Sequence, residues 1–85
     1  MTRTEQAALT LSEARQAVPL LTEWKHYKGG TYRVIGHCLD TDNGEARVRY
    51  DRVAGPDFNK ALEADIEFVR PVSDWTPERF TQITR

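Results

Sequence analysis

Asn43-Gly44 lies between two runs of strand chemistry, and this arrangement limits the possible folds more than any other feature of the chain. Upstream, residues 31–39 (TYRVIGHCL) combine β-branched and aromatic side chains with period-two alternation. Downstream, residues 45–53 (EARVRYDRV) place Ala46, Val48 and Tyr50 on one side and Glu45, Arg47, Arg49 and Asp51 on the other. Asparagine before glycine tolerates the positive backbone angles of a tight reversal, so the two runs are expected to pair as an antiparallel hairpin. Its return strand has one core face and one solvated face. In the first run Tyr32, Val34, Gly36 and Cys38 share one register and Arg33, Ile35, His37 and Leu39 the other. Apolar residues in both registers predict a central strand covered on both faces over part of its length.

The flanks supply the rest of the architecture. Thr10 and Glu13 have capping-box spacing, and Leu11, Ala14, Val18 and Leu21 fall at near-helical intervals that Pro19 interrupts, which predicts a short helix over 11–18 covering one open end of a sheet. Period two resumes from Trp24, a short strand is expected in IEFVRP, and RFTQI offers a last one. Gly55-Pro56 marks a loop, after which Phe58, Leu62 and Ile66 have the spacing of a helical turn. The expected fold is therefore mainly β (α+β): a small SH3-like, partly open barrel of four to five antiparallel strands with one N-terminal helix. An OB-fold, which needs longer strands, is second. Residues 1–22 form the helical segment and 23–85 the barrel domain. A chain of 85 residues buries only about 60–65% of its unfolded surface, so ligands are expected on a shallow groove or a subunit interface.

Composition narrows the function classes. A formal charge of −1 argues against a dedicated nucleic-acid protein. The middle of the chain is nevertheless mildly basic, with Lys25, Lys28, Arg33, Arg47, Arg49 and Arg52 against Asp40, Asp42, Glu45 and Asp51, which leaves room for a local anion site. No apolar run approaches the roughly 18 residues of a membrane span, and the first residues lack the apolar core of a signal peptide. A cytoplasmic protein with no membrane association is expected. The single cysteine, Cys38, agrees with a reducing compartment and reads as a small buried hydrophobe.

Residues 25–37 (KHYKGGTYRVIGH) concentrate the chemistry. Lys25, His26 and Lys28 beside Gly29 and Gly30 can bring cationic side chains and backbone amides onto a phosphate or carboxylate. The plainer alternative is a hairpin turn made by the glycines, with Trp24 and Tyr27 packed. His26, His37 and Cys38 suggest zinc, but adjacent strand residues face opposite ways and no fourth ligand is evident, so neither metal nor cofactor is expected. His37 with Asp40 and Ser12 or Ser73 lacks the surroundings of a nucleophile, and Glu63 with Asp65 reads as a solvated face. Arg33, Arg47 and Arg49 can form a basic strip that holds nucleic acid or a partner with Tyr27 or Trp75 stacking nearby; alternatively, carboxylates neutralise it. Arg70 shares the face of Phe68 at the edge of the core, where a guanidinium requires an internal partner or a ligand.

Together WKHYKGGTYRVIGHCLDTDNGEARVRY, FVRP and PERFTQI resemble the bacterial family of domain of unknown function 1653, over about residues 23–83. The shared positions are His26, Tyr27, Lys28, Gly29, Tyr32, Val34, Tyr50, Val69, Arg70 and Pro71, whereas Phe68 stands where the family pattern has Trp. The resemblance implies a compact β-rich module with His26, Tyr27, Lys28, Gly29 and Arg70 as its signature, and no settled activity. The expected function is a non-catalytic binding module for an anionic ligand, a nucleotide-like molecule or a single-stranded nucleic-acid segment, held by Lys25, His26, Tyr27, Lys28, Gly29, Gly30 and Arg70. One alternative is a protein-interaction domain using Trp24, Tyr27 and Trp75, as a monomer or homodimer. The other is a small hydrolase dependent on His26 or His37.

Overall fold

The computed structural model describes residues 2–55 and 66–83. Helix α1 spans Arg3–Ala17 and is longer than its expected span of 11–18. The chain carries the Thr-x-x-Glu spacing twice, and the first copy caps the helix: Thr2 Oγ1 accepts the Glu5 N–H at 3.1 Å. Between the two copies lie good helix formers and no breaker, so the helix runs back to the earlier cap. The Thr10 hydroxyl instead donates to the Gln6 carbonyl at 3.0 Å, inside the helix. Pro19 ends it, and of the expected apolar stripe Ala14 and Val18 are buried. Leu21 departs from that stripe: it has φ +63°, is 73% exposed, and donates its N–H to the Val34 carbonyl at 2.9 Å.

Five strands follow: β1 (Glu23–His26), β2 (Thr31–Leu39), β3 (Ala46–Ala54), β4 (Phe68–Pro71) and β5 (Phe80–Ile83). They form one antiparallel sheet in the order β4-β3-β2-β1-β5, with β2 at its centre, curled into a half-open SH3-like barrel. A short 3₁₀ turn, Val72–Asp74, follows β4. The expected helical turn at Phe58 and Leu62 falls outside the described residues, and Ile66 is exposed.

The β2–β3 loop takes its shape from the residues the sequence singles out. Gly44, at φ +71°, donates to the Asp40 carbonyl at 2.7 Å, and the Asn43 side-chain oxygen accepts the Glu45 N–H at 2.9 Å. Within the pair, Val34 faces Tyr50 but Gly36 faces Arg49, so Ile35 is an extra residue. This bulge corrects the expected registers. Tyr32 and Val34 point inward, but beyond Ile35 it is His37 and Leu39, opposite Val48 and Ala46, that point inward. Gly36 and Cys38 lie on the outer face opposite Arg49 and Arg47, which leaves Cys38 half-buried instead of in the core.

Inside the barrel Val18, Tyr32, Val34, Val48, Tyr50, Trp75 and Phe80 form the core, with Trp24, Phe68 and Val72 packed against it. Helix α1 closes the end where His37 lies: the His37 Nε2 is 2.7 Å from the Val18 carbonyl oxygen. The opposite end, where β2 begins, is lined by aromatic and basic residues.

Two glycines separate backbone constraint from side-chain crowding. At Gly55, φ is +108° and a Cβ would stand 2.5 Å from the Gly30 α-carbon, so Gly55→Ala is expected to cost about 2–4 kcal/mol. At Gly36 the obstacle is the end of the Arg49 side chain, 2.8 Å away, which can swing clear; Gly36→Ala should cost below about 1 kcal/mol. Urea-unfolding midpoints of the two variants provide the check.

Candidate anion-binding site

The β1–β2 connection is four residues long, Tyr27 to Gly30. His26 N–H donates to the Gly30 carbonyl at 3.1 Å and Gly29 N–H to the His26 carbonyl at 3.0 Å. Gly29 and Gly30 take φ of +98° and +91°, a conformation that strains any residue with a Cβ. A Cβ on Gly30 would also crowd the Tyr32 hydroxyl at 3.2 Å. The Lys28 N–H is 3.2 Å from His26 Nδ1, so in the neutral ring Nδ1 accepts and the proton sits on Nε2. The amides of Lys28 and Gly29 are thus occupied within the turn, and its chemistry resides in side chains.

Those side chains diverge. Lys25 is exposed on the outer face, between Thr31 and Thr81. Tyr27 is 62% exposed instead of packed; its N–H donates to the Arg79 carbonyl at 2.9 Å. Its ring lies 4.6 Å from that of His26, and Lys28 Nζ lies 5.6 Å from its centroid. His26 turns inward opposite Phe80, with ring centroids 4.9 Å apart, and meets Tyr32 edge-on at 6.4 Å.

Arg70 projects from β4 on the inner face, opposite Val48. Its Nε donates to the Tyr50 Oη at 3.4 Å and its guanidinium lies 5.5 Å from the Phe80 centroid. No ion pair to Arg70 occurs among the described residues. Arg52, opposite Tyr32, donates to the Tyr32 hydroxyl and lies 5.0 Å from that ring. Sequence reasoning passed over Arg52 and Arg79. The signal for Arg52 was present, since it continues the inward series Ala46, Val48, Tyr50 and is the first charged member of it.

The result is a cationic, aromatic end of the barrel drawn from all five strands and the β1–β2 turn. Its electrostatic signature is at His26, whose pKa is held below the ordinary 6.5 first by burial and then by the charges of Arg70, Lys28, Arg79 and Arg52. The outer face differs. Arg33 lies 3.4 Å from Asp51, Arg47 lies 3.0 Å from Asp40, and Arg49 lies 2.7 Å from Glu67, so the expected basic strip is matched by carboxylates. Arg47 and the Asp42 N–H together hold the Asp40 carboxyl below its usual pKa, the N–H acting most strongly. Trp75 lies in the core, stacked on Phe80 at 3.9 Å. Among the described residues no three His, Cys, Asp or Glu side chains converge as metal ligands.

The family model described as protein of unknown function (DUF1653) matches residues 22–82. The chain belongs to this family. The DUF1653 match contains the whole barrel end: His26, Tyr27, Lys28, Tyr32, Tyr50, Arg52, Arg70, Arg79 and Phe80. Helix α1 lies outside it. No curated protein and no solved structure matches the chain. A small DUF1653 barrel with an aromatic cluster at its surface is consistent with a binding module. Among the described residues no helix is long and apolar enough to cross a membrane.

The depressed His26 pKa has a stability consequence of definite sign. As the pH falls below 6.5 the unfolded chain takes up this proton before the folded one does, so folded-state stability declines until His26 itself titrates. NMR titration of the His26 ring should give a pKa below 6.5. In Arg70→Gln it should rise only part of the way, because burial, the larger cause, remains.

Proposed function

We propose that this domain is a non-catalytic binding module whose ligand is anionic, a nucleotide-like molecule or a nucleic-acid segment, seated at the open barrel end. The observation that carries the reading is Arg70. Its half-buried guanidinium is met by a phenol oxygen and an aromatic ring, neither of which balances its charge. Guanidinium at such a site gains most from a phosphate or carboxylate that takes two of its N–H groups at once. Lys28 and Arg79 on the rim and Arg52 beside Tyr32 add to the positive potential around His26. His26 then serves as a neutral Nε2–H donor to the anion at pH 7.

Titration of the labelled domain with pyrophosphate and with short oligonucleotides at low salt should move the amides of residues 25–30, 70 and 79. Arg70→Met should weaken binding by at least about tenfold while the domain stays folded, the loss of the Tyr50 hydroxyl's partner costing about 1–3 kcal/mol of stability. Lys28→Ala, on an exposed side chain, should weaken it less and reduce its salt dependence. If neither variant alters binding, or no anion shifts these amides, the proposal fails.

A second reading has its own observation. Val18, Trp24, Val72, Trp75, Pro77 and Phe80 line a shallow apolar groove beside the helix end, and Trp24 meets Trp75 edge-to-face at 5.9 Å. Such a surface suits an apolar segment of a protein partner or a second copy. Its association would be salt-insensitive with a negative heat-capacity change, in contrast to an anion at the other end.

A further inference from the structure

Two features constrain the form of an anion at the open end, and the inference from them rests on the anion-binding reading above. The first is the confinement of the positive charge. Cations of the outer face are paired along β2 and β3, at Arg33–Asp51, Arg47–Asp40 and Arg49–Glu67, so no run of uncompensated cations leads away from the site along those strands. A polyanionic strand gains affinity from contacts repeated along its length, whereas a ligand with its charge concentrated at one point needs only the cluster. The second is Tyr27. It is the one large aromatic among the described residues that is mostly exposed, and it is not loose: its N–H is tied to the Arg79 carbonyl and its ring is braced on His26.

An exposed, braced aromatic ring beside a cation cluster is the arrangement that receives a flat base while the phosphates bind next to it. We infer that the ligand is a free nucleoside phosphate, with its phosphates on Arg70, Lys28 and Arg79 and its base on Tyr27. The phosphates lie toward Phe80, over which Arg70 is held, and the base lies outward across the turn. The Lys28 ammonium, now 5.6 Å from the Tyr27 ring centroid on an exposed side chain, moves from the ring to the phosphates when the base arrives. Tyr27 and Arg70 therefore read different halves of one ligand.

Isothermal titration of the intact chain with adenosine 5′-diphosphate, pyrophosphate, adenosine and a thymidine octanucleotide separates these roles. The diphosphate nucleoside should bind more tightly than pyrophosphate. Tyr27→Ala should weaken the nucleotide by at least about fivefold and leave pyrophosphate within about twofold, whereas Arg70→Met should weaken both. Equal affinity for nucleotide and pyrophosphate, with no effect of Tyr27→Ala, would overturn the base contact and leave the anion-binding reading standing. An octanucleotide that outcompetes the nucleotide would overturn the free ligand in favour of a strand. No binding by any phosphate probe would overturn both readings. Tyr27 is exposed, so its variant should fold normally, which its unfolding midpoint verifies.

Discussion

Tyr50 is the residue through which the core and the site hold each other in place. Its ring meets Tyr32 edge-on at 5.1 Å, Phe68 face-on at 5.6 Å and Trp75 edge-on at 5.1 Å, so it joins β2, β4 and the segment after the 3₁₀ turn to its own strand. Trp75 in turn stacks on Phe80 of β5, at the opposite edge of the sheet from β4. An open sheet of this size gains little from backbone pairing at its edges. The ring cluster bridges the two edge strands and makes the curl stable. The Tyr50 hydroxyl then reaches Arg70, so the group that sets the core geometry also aims the guanidinium. Buried tyrosine needs a partner for its polar end, and here satisfying that need positions the Arg70 guanidinium.

Much of the fold was legible because its signals are local. Alternation in residues 31–39 and 46–50, the Asn43-Gly44 reversal and the Pro19 stop each act within a few residues of where they are read. The helix start was misplaced because two caps of equal spacing compete, and the choice depends on the run between them. The bulge at Ile35 was illegible for a different reason. A period-two pattern shows no break where both registers hold apolar residues, so the inward series Tyr32, Val34, His37, Leu39 is distinguishable only once β3 supplies the register. At the candidate site, His26, Lys28 and Arg70 stand out in the sequence as odd residues in apolar or glycine-rich company. Arg79 carried no such mark: its place near His26 depends on how β5 returns beside β1.

The distribution of charge also shows how a nearly neutral chain can gather several cations about one end of the barrel among the described residues. Outer-face arginines lie opposite or beside carboxylates contributed by neighbouring strands and turns, and exposed pairs of this kind add little stability. Their effect is to cancel field at a distance. Among the described residues the inner-face Arg70 is held by a phenol and an aromatic face, which orient a cation without neutralising it. Net charge alone would therefore describe this surface poorly.

The extra residue at Ile35 divides the central strand into two segments of opposite phase. Upstream, even-numbered side chains serve the aromatic end; downstream, odd-numbered ones serve the helix-capped end. Each half of β2 thereby answers to a different neighbour, and changes in the polarity pattern of one half leave the other half's facing intact. Pairing that kept Ile35 in a regular ladder would turn His37 and Leu39 outward and bring Gly36 and Cys38 under the helix, whereas deleting this extra residue would leave their facing as it is. The barrel thus carries a parity marker: whether the strand bulges between Val34 and Gly36 decides which side chains the helix end can cover.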